Sequence, residues 1–199
     1  MNFAVLASGN GSNLEAIIKA VKARKIKASL TVVISDKVDA FALVRARKAK
    51  IPTVVVNPKD FSDRESFDRV LVDHLRQASV DFVVLAGFMR ILSAYMIKAY
   101  PNKIINVHPA LLPAFKGAHA IEDAFELGVK TTGVTVHFVD EQVDHGVIIA
   151  QEAVNILPKD TLEKLKKRIH TVEHKIYPKV IGLLAAGKIK IQGRSVRIG

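Results

Sequence analysis

Along the first half of the chain, short apolar runs closed by turn residues alternate with longer stretches of helical period, and this alternation leaves few folds open. Phe3 to Ala7 is apolar and stops at Ser8-Gly9-Asn10-Gly11, after which Leu14, Ile17, Ile18 and Val21 recur at helical spacing. Leu30 to Ile34 ends at Ser35-Asp36, Ala40 to Lys50 is alanine-rich and helical, and Thr53 to Val56 ends at Asn57-Pro58. Phe67, Val70, Leu71 and Leu75 put one apolar face on a helix beginning near Ser62. Asp81 to Ala86 and Lys103 to Val107 read as fully buried strands, closed by Gly87 and by His108-Pro109. Such a pattern predicts an α/β fold with a doubly wound, mostly parallel, Rossmann-like sheet.

The period then changes. Val134 to Val139 and Val147 to Ala150 are strand-like, and the connection Asp140 to Gly146 has no room for a crossover helix, which predicts an antiparallel pair. A long helix is expected from about Asp160, with Leu162, Leu165, Ile169 and Val172 on one face and Pro178 kinking or ending it. The basic tail from Lys188 to Arg197 alternates apolar and polar residues and reads as a small edge ribbon. With no repeat, linker or low-complexity stretch, residues 1–199 are read as one domain.

Composition narrows the function classes. The chain has no cysteine, which removes disulfides, thiolate metal sites and cysteine nucleophiles and points to a cytoplasmic setting. No window approaches the run of about 18 apolar residues that a membrane span requires, and Met1 to Leu6 reads as a strand rather than a signal peptide. The net charge is +11, but the lysines and arginines are spread over helix-like faces and only 6% of residues are aromatic. Base-stacking nucleic-acid modules need more aromatic surface. Solvated helix faces or steering of anionic small molecules account for the surplus, and no nucleic-acid or membrane partner is expected.

Three segments carry residue types suited to chemistry. Ser8 to Asn13 lies at the carboxyl end of the first strand, where open parallel sheets bind ligands. Ser12-Asn13-Leu14-Glu15 fits a capping box, so a helix starting at Ser12 would turn its free N–H groups toward an anion that Gly9 and Gly11 let come close. A plain tight turn fits equally well. Asn106 and His108 end a strand and project to the same side, pairing an amide donor with a group that moves protons; a structural histidine before proline is the simpler reading. Asp140, Glu141 and Asp144 share one loop, whose spacing is not that of a calcium site, and no metal is expected. His74, His137 and His145 read as structural, and His119 is compatible with either role.

Four ordered segments, Ser8 to Asn13, Gly87 to Leu92, Asn106 to Pro113 and Gly133 to Val139, together resemble the glycinamide ribonucleotide transformylase family of purine synthesis, over about Met1 to Glu173. The histidine segment alone resembles the wider folate-dependent formyltransferase superfamily. The resemblance implies transfer of the formyl group of 10-formyltetrahydrofolate, a co-substrate, to the amine of 5-phosphoribosylglycinamide. It implies Asn106, His108 and Asp144 as catalytic residues. It implies Gly11, Ser12, Asn13, His170, Thr171, Val172 and Glu173 as contacts to the ribonucleotide. For the folate it implies Arg64, Met89, Arg90, Ile91, Leu92 and Asn106, together with Asp140, Glu141, Gln142, Val143 and Asp144.

A monomer or homodimer is compatible with all of this. Ala110 and Ala114 stand where the family commonly carries a serine and a polar residue, which raises the expectation of a lost hydroxyl contact near substrate. Asp144 is expected to raise the His108 pKa, so that His108 acts as an acid. A formate-releasing hydrolase with an extra N-terminal domain, a methionyl-tRNA formyltransferase with a C-terminal domain, and a basic RNA-binding protein are the rivals. The first two are not expected, since each normally carries a further domain beyond the one read here, and the third leaves Asn106, His108 and the glycine loop unexplained.

Overall fold

The computed structural model describes residues 1–199. The first half is strand and helix in strict alternation: β1 (Asn2–Leu6), α1 (Ser12–Lys22), β2 (Ser29–Ser35), α2 (Phe41–Lys48), β3 (Thr53–Val55), α3 (Arg64–Gln77), β4 (Phe82–Leu85), α4 (Ala94–Ala99) and β5 (Ile104–His108). Then come α5 (Ala120–Glu126), β6 (Thr131–Phe138), β7 (Ile148–Asn155), α6 (Leu162–Ala185), β8 (Ile189–Gln192) and β9 (Ser195–Ile198). Seven strands form one sheet in the order β3-β2-β1-β4-β5-β6-β7. β1 to β5 pair in parallel, whereas β6 runs antiparallel to β5 and β7 antiparallel to β6. The strand order reverses between β1 and β4, which opens a crevice at their carboxyl ends.

Both faces of the sheet are buried, and the period-two alternation of each central strand divides its side chains between two cores. Phe3, Val5, Phe82 and Val84 join the core beneath α1 and α6. Ala4, Leu6, Val83 and Leu85 join the core beneath α3 and α4. These strands are apolar throughout because neither face meets water. Phe3 and Phe82 stack across adjacent strands at 5.2 Å between ring centroids. No helix is long and apolar enough to cross a membrane.

Two expectations fail. α1 does begin at Ser12, but Gly11 is its N-cap, with φ at 73°, and no side chain caps it. Glu15 is drawn instead to Lys19 and Arg45, so the capping box does not form. The long helix also does not end at Pro178 but continues to Ala185. Ile176, Tyr177, Val180 and Ile181 are all buried around the proline, and their packing holds the turn that its missing N–H weakens. The tail forms a two-stranded antiparallel sheet of its own beside β7.

Candidate active site

The carboxyl ends of β4 and β5 and the β6–β7 connection meet around a cavity of about 260 Å³. Its wall takes Met89 to Leu92 from the loop after β4, Asn106 and His108 from β5, and Asp140 to Asp144 from the connection. The loops after β1 and β4 hold each other: Ser8 N–H donates to Gly87 O at 2.9 Å. Met89 N–H donates to the buried Ser8 Oγ at 2.9 Å. Ser93 N–H donates to the buried Asp68 carboxylate at 2.5 Å and fixes the far end of the second loop. The main-chain groups of Arg90, Ile91, Glu141 and Val143 pair with no other main-chain group. They and the apolar side chains of Met89, Ile91, Leu92 and Val143 give the wall the mixed character that a flat heterocycle with polar edges requires.

At the inner end, four side chains form a connected set. Asp144 Oδ2 lies 3.3 Å from His108 Nδ1, and Asp144 Oδ1 lies 3.6 Å from His137 Nε2. Gly117 N–H donates to Asp144 Oδ2 at 2.8 Å. His137 Nδ1 lies 2.7 Å from the Phe138 carbonyl, which only accepts, so Nδ1 carries the proton and Nε2 can take a hydrogen bond from Asn106 Nδ2 at 3.3 Å. One amide hydrogen of Asn106 is thereby used, and the other is free. His108 Nε2 lies 2.7 Å from the Phe115 carbonyl and donates to it, leaving the Nδ1 lone pair beside Asp144.

Burial sets the ionisation of this set. It pushes the His108 pKa below the ordinary histidine value, and the Asp144 carboxylate and the Phe115 carbonyl oppose it without reversing the sign. The expectation of a raised His108 pKa is thus corrected: a nearly buried ring loses more by desolvation than it gains from one carboxylate. Burial also pushes the Asp144 pKa up, but the neighbouring His137 and His108 rings and the hydrogen bond from Gly117 N–H outweigh it and leave it below the ordinary value. Asp144 itself sits at φ 48°. Two residues on, Gly146 has no room for a side chain, since a Cβ there would fall 1.9 Å from the Phe138 carbonyl oxygen.

A second polar region surrounds the start of α1. The N–H groups of Ser12, Asn13 and Leu14 have no main-chain partner, as at any helix start, and they form the positive end of the helix dipole. Asn13 Nδ2 donates to the buried Glu173 carboxylate at 3.0 Å, and His170 Nδ1 lies 2.9 Å from the same oxygen. That hydrogen bond raises the His170 pKa above the ordinary value. Asn13 Oδ1 and His174 Nε2 are buried without partners. Open N–H groups beside a histidine whose protonated form Glu173 favours suit an anion such as a phosphate.

Not every candidate residue reaches these regions. Arg64 is exposed on the first turn of α3 and is not part of the cavity wall. Thr171 turns away and donates to the Lys167 carbonyl, and Val172 packs into the core. His170, Glu173 and His174 share one face of α6, and His174 had no sequence signal beyond that spacing. His137, read as structural, joins the connected set because the antiparallel β5–β6 register places it opposite Asn106. His145 stays structural, paired with Asp140 at 2.8 Å, and exposed His119 precedes α5. Ala110 is fully buried, so no hydroxyl is missing from the cavity wall there, and Ala114 is exposed.

Comparison with known proteins agrees with this architecture. Residues 1–181 match the formyl transferase family. The phosphoribosylglycinamide formyltransferase of Bacillus subtilis is 46% identical over 179 residues, which cover 90% of this chain and 92% of that protein. The trifunctional purine biosynthetic protein adenosine-3 of Drosophila pseudoobscura pseudoobscura is 48% identical over 189 residues, and the chain spans 14% of that longer protein. The crystal structure of glycinamide ribonucleotide transformylase 1 from Symbiobacterium toebii superposes with a TM-score of 0.97 at 46% identity, covering 100% of this chain and 93% of that one. On the family match across residues 1–181 and these identities, the chain belongs to the formyl transferase family.

Proposed function

We propose that the protein transfers the formyl group of 10-formyltetrahydrofolate to the amine of 5-phosphoribosylglycinamide, using Asn106, His108 and Asp144 with His137 as their support. The observation that carries this reading is the connected set Asn106–His137–Asp144–His108 at the inner end of a cavity walled by apolar side chains and unpaired loop backbone. The cavity takes the folate, and the start of α1, with His170, Glu173 and His174, takes the ribonucleotide phosphate.

The free amide hydrogen of Asn106 donates to the oxyanion that forms when the substrate amine adds to the formyl carbon. His108 is neutral at rest because burial holds its pKa down, so its Nδ1 can accept the proton that the amine must lose. The imidazolium so formed donates from both nitrogens, to Phe115 O and to Asp144, whose charge stabilises it only in that state. The same proton then passes to the folate nitrogen as its bond to the formyl carbon breaks. One C–N bond forms, one breaks, and the proton lost by the amine is gained by the leaving nitrogen.

The test is incubation with 10-formyltetrahydrofolate, with and without the ribonucleotide. Loss of formyl donor only when the amine is present supports the transferase. Equal loss without it would make the protein a hydrolase, and no loss in either case would refute both.

A further inference from the structure

A second concavity, about 970 Å³, runs between α1 and α6, outside the catalytic cavity. Its floor is small, with Ala16, Ala20 and Ala23 on one side and Gly182 and Ala186 on the other. Six lysines rim it: Lys19, Lys25, Lys27, Lys175, Lys179 and Lys188. The one carboxylate among them, Glu15, is already held by Lys19 at 2.9 Å and by Arg45. Lys175 pairs with Glu152 at 3.3 Å, but Lys25, Lys27, Lys179 and Lys188 pair with no carboxylate. A cation near a helix C-terminus is favoured by the dipole, which accounts for Lys25 and Lys188. It does not account for Lys179, well inside α6.

The groove contains no aromatic ring but His174, so it offers no platform for stacked bases. One of its ends is formed by Ser12 and His174, the open N–H end of α1. We propose that this groove is the approach path of the phosphorylated substrate, its lysines capturing the phosphate and passing it along α1 to Ser12. The proposal rests on the reading of Ser12 and Asn13 as the phosphate cradle. The 11 residues of α1 extend roughly 16 Å at about 1.5 Å per residue. That is about twice the screening length of ~8 Å at physiological ionic strength. Lysines at the far end therefore do little for a phosphate already bound, while a cation-lined cleft with low-dielectric walls speeds its arrival.

The test is stopped-flow association of the ribonucleotide with a variant carrying Lys25→Gln, Lys27→Gln, Lys179→Gln and Lys188→Gln. A control carries Lys98→Gln, Lys103→Gln, Lys130→Gln and Lys159→Gln, which removes the same charge from exposed positions elsewhere. At low salt the groove variant is expected to associate about tenfold or more slowly than the control. Because these lysines hardly hold the bound phosphate, dissociation is expected to slow by a similar factor and Kd to stay within about twofold, with kcat and the KM for folate unchanged and the difference vanishing near 1 M salt. Equal association rates for the two variants, or a change confined to dissociation, overturn the proposal. Formyl transfer by the wild type separates the two readings. Transfer with equal rates sinks the groove alone, whereas neither transfer nor association by the wild type sinks both.

Discussion

His137 lies directly across the β5–β6 ladder from Asn106, with its Nε2 3.3 Å from the amide nitrogen. The ring is locked by its own Nδ1–H on the Phe138 carbonyl, so the amide is presented in one orientation before any ligand arrives. The oxyanion donor is thus preorganised by a residue that touches no substrate in the proposed mechanism.

Asn106→Ala removes the donor itself and is expected to lower kcat by about a hundred-fold or more. His137→Ala leaves the amide in place but free to rotate, so kcat falls by less, with little change in either KM. Because the two act through one hydrogen bond, the double variant is expected to be scarcely slower than Asn106→Ala. Steady-state kinetics of the four proteins checks this. Fully additive losses would show that His137 does not orient the amide.

Asp144→Asn tests the proton path. The Asp144 carboxylate opposes the downward push of burial on His108, so its loss is expected to lower the His108 pKa further. The imidazolium then has no anionic partner, and kcat falls while the acid limb of kcat/KM moves to lower pH. Histidine titration by NMR, paired with the pH–rate profile, reads both effects. An unshifted His108 resonance would break the assigned coupling.

The strands up to β5 and the helices α1, α2 and α3 were legible because a doubly buried sheet demands continuous apolar strands joined by amphipathic crossovers, and the β6–β7 pair because its connection is too short for a crossover, whereas six-residue α4 was not read. Asn106 and His108 were readable as a pair because one strand carries both. His137 was not, since its role comes from the register between β5 and β6, which neither strand reveals alone. The cap of α1 was misread because Ser12 and Glu15 satisfy a local rule that Arg45, 30 residues on, overrides. The helix does not end at Pro178, because packing on both sides outweighs one lost hydrogen bond.

His170 gives stability a pH dependence of definite sign. Its pKa is raised by Glu173 above the ordinary value of 6.5, so its contribution is fully present below that value and is lost as pH rises through the folded-state pKa. His170→Gln is therefore expected to lower Tm most on the acid side of neutrality, with the gap closing at alkaline pH. Thermal denaturation in a phosphate-free buffer series measures it. A gap that widens with pH would contradict the assigned ion pair.

Gly11→Ala is expected to act on one substrate only. A methyl group there would lie 2.7 Å from the Ala42 Cα, and the residue sits at φ 73°, so α2 must shift and the left-handed backbone costs about 1–2 kcal/mol. The KM for the ribonucleotide should rise and Tm should fall, with the folate KM unchanged. Equal rises in both KM values would reduce the loop to a purely structural turn.

Arg64→Ala is expected to leave the folate KM within about twofold of wild type, because its side chain is exposed and outside the cavity wall. A larger rise would mean that α3 moves toward the cavity when the ligand binds.

The absence of space at Gly146 bears on how this loop could change over time. Position 146 is pressed against the end of β6, and Asp144 reaches His108 only when counted back two residues from that fixed point. An inserted or deleted residue between them would move the carboxylate out of reach without disturbing the sheet. Variation in length is therefore confined to the outer half, Asp140 to Val143, the part of the wall proposed to meet the folate. Evolution or an engineer can reshape what the cavity accepts, but the two residues before Gly146 behave as a measured spacer, inherited whole or lost.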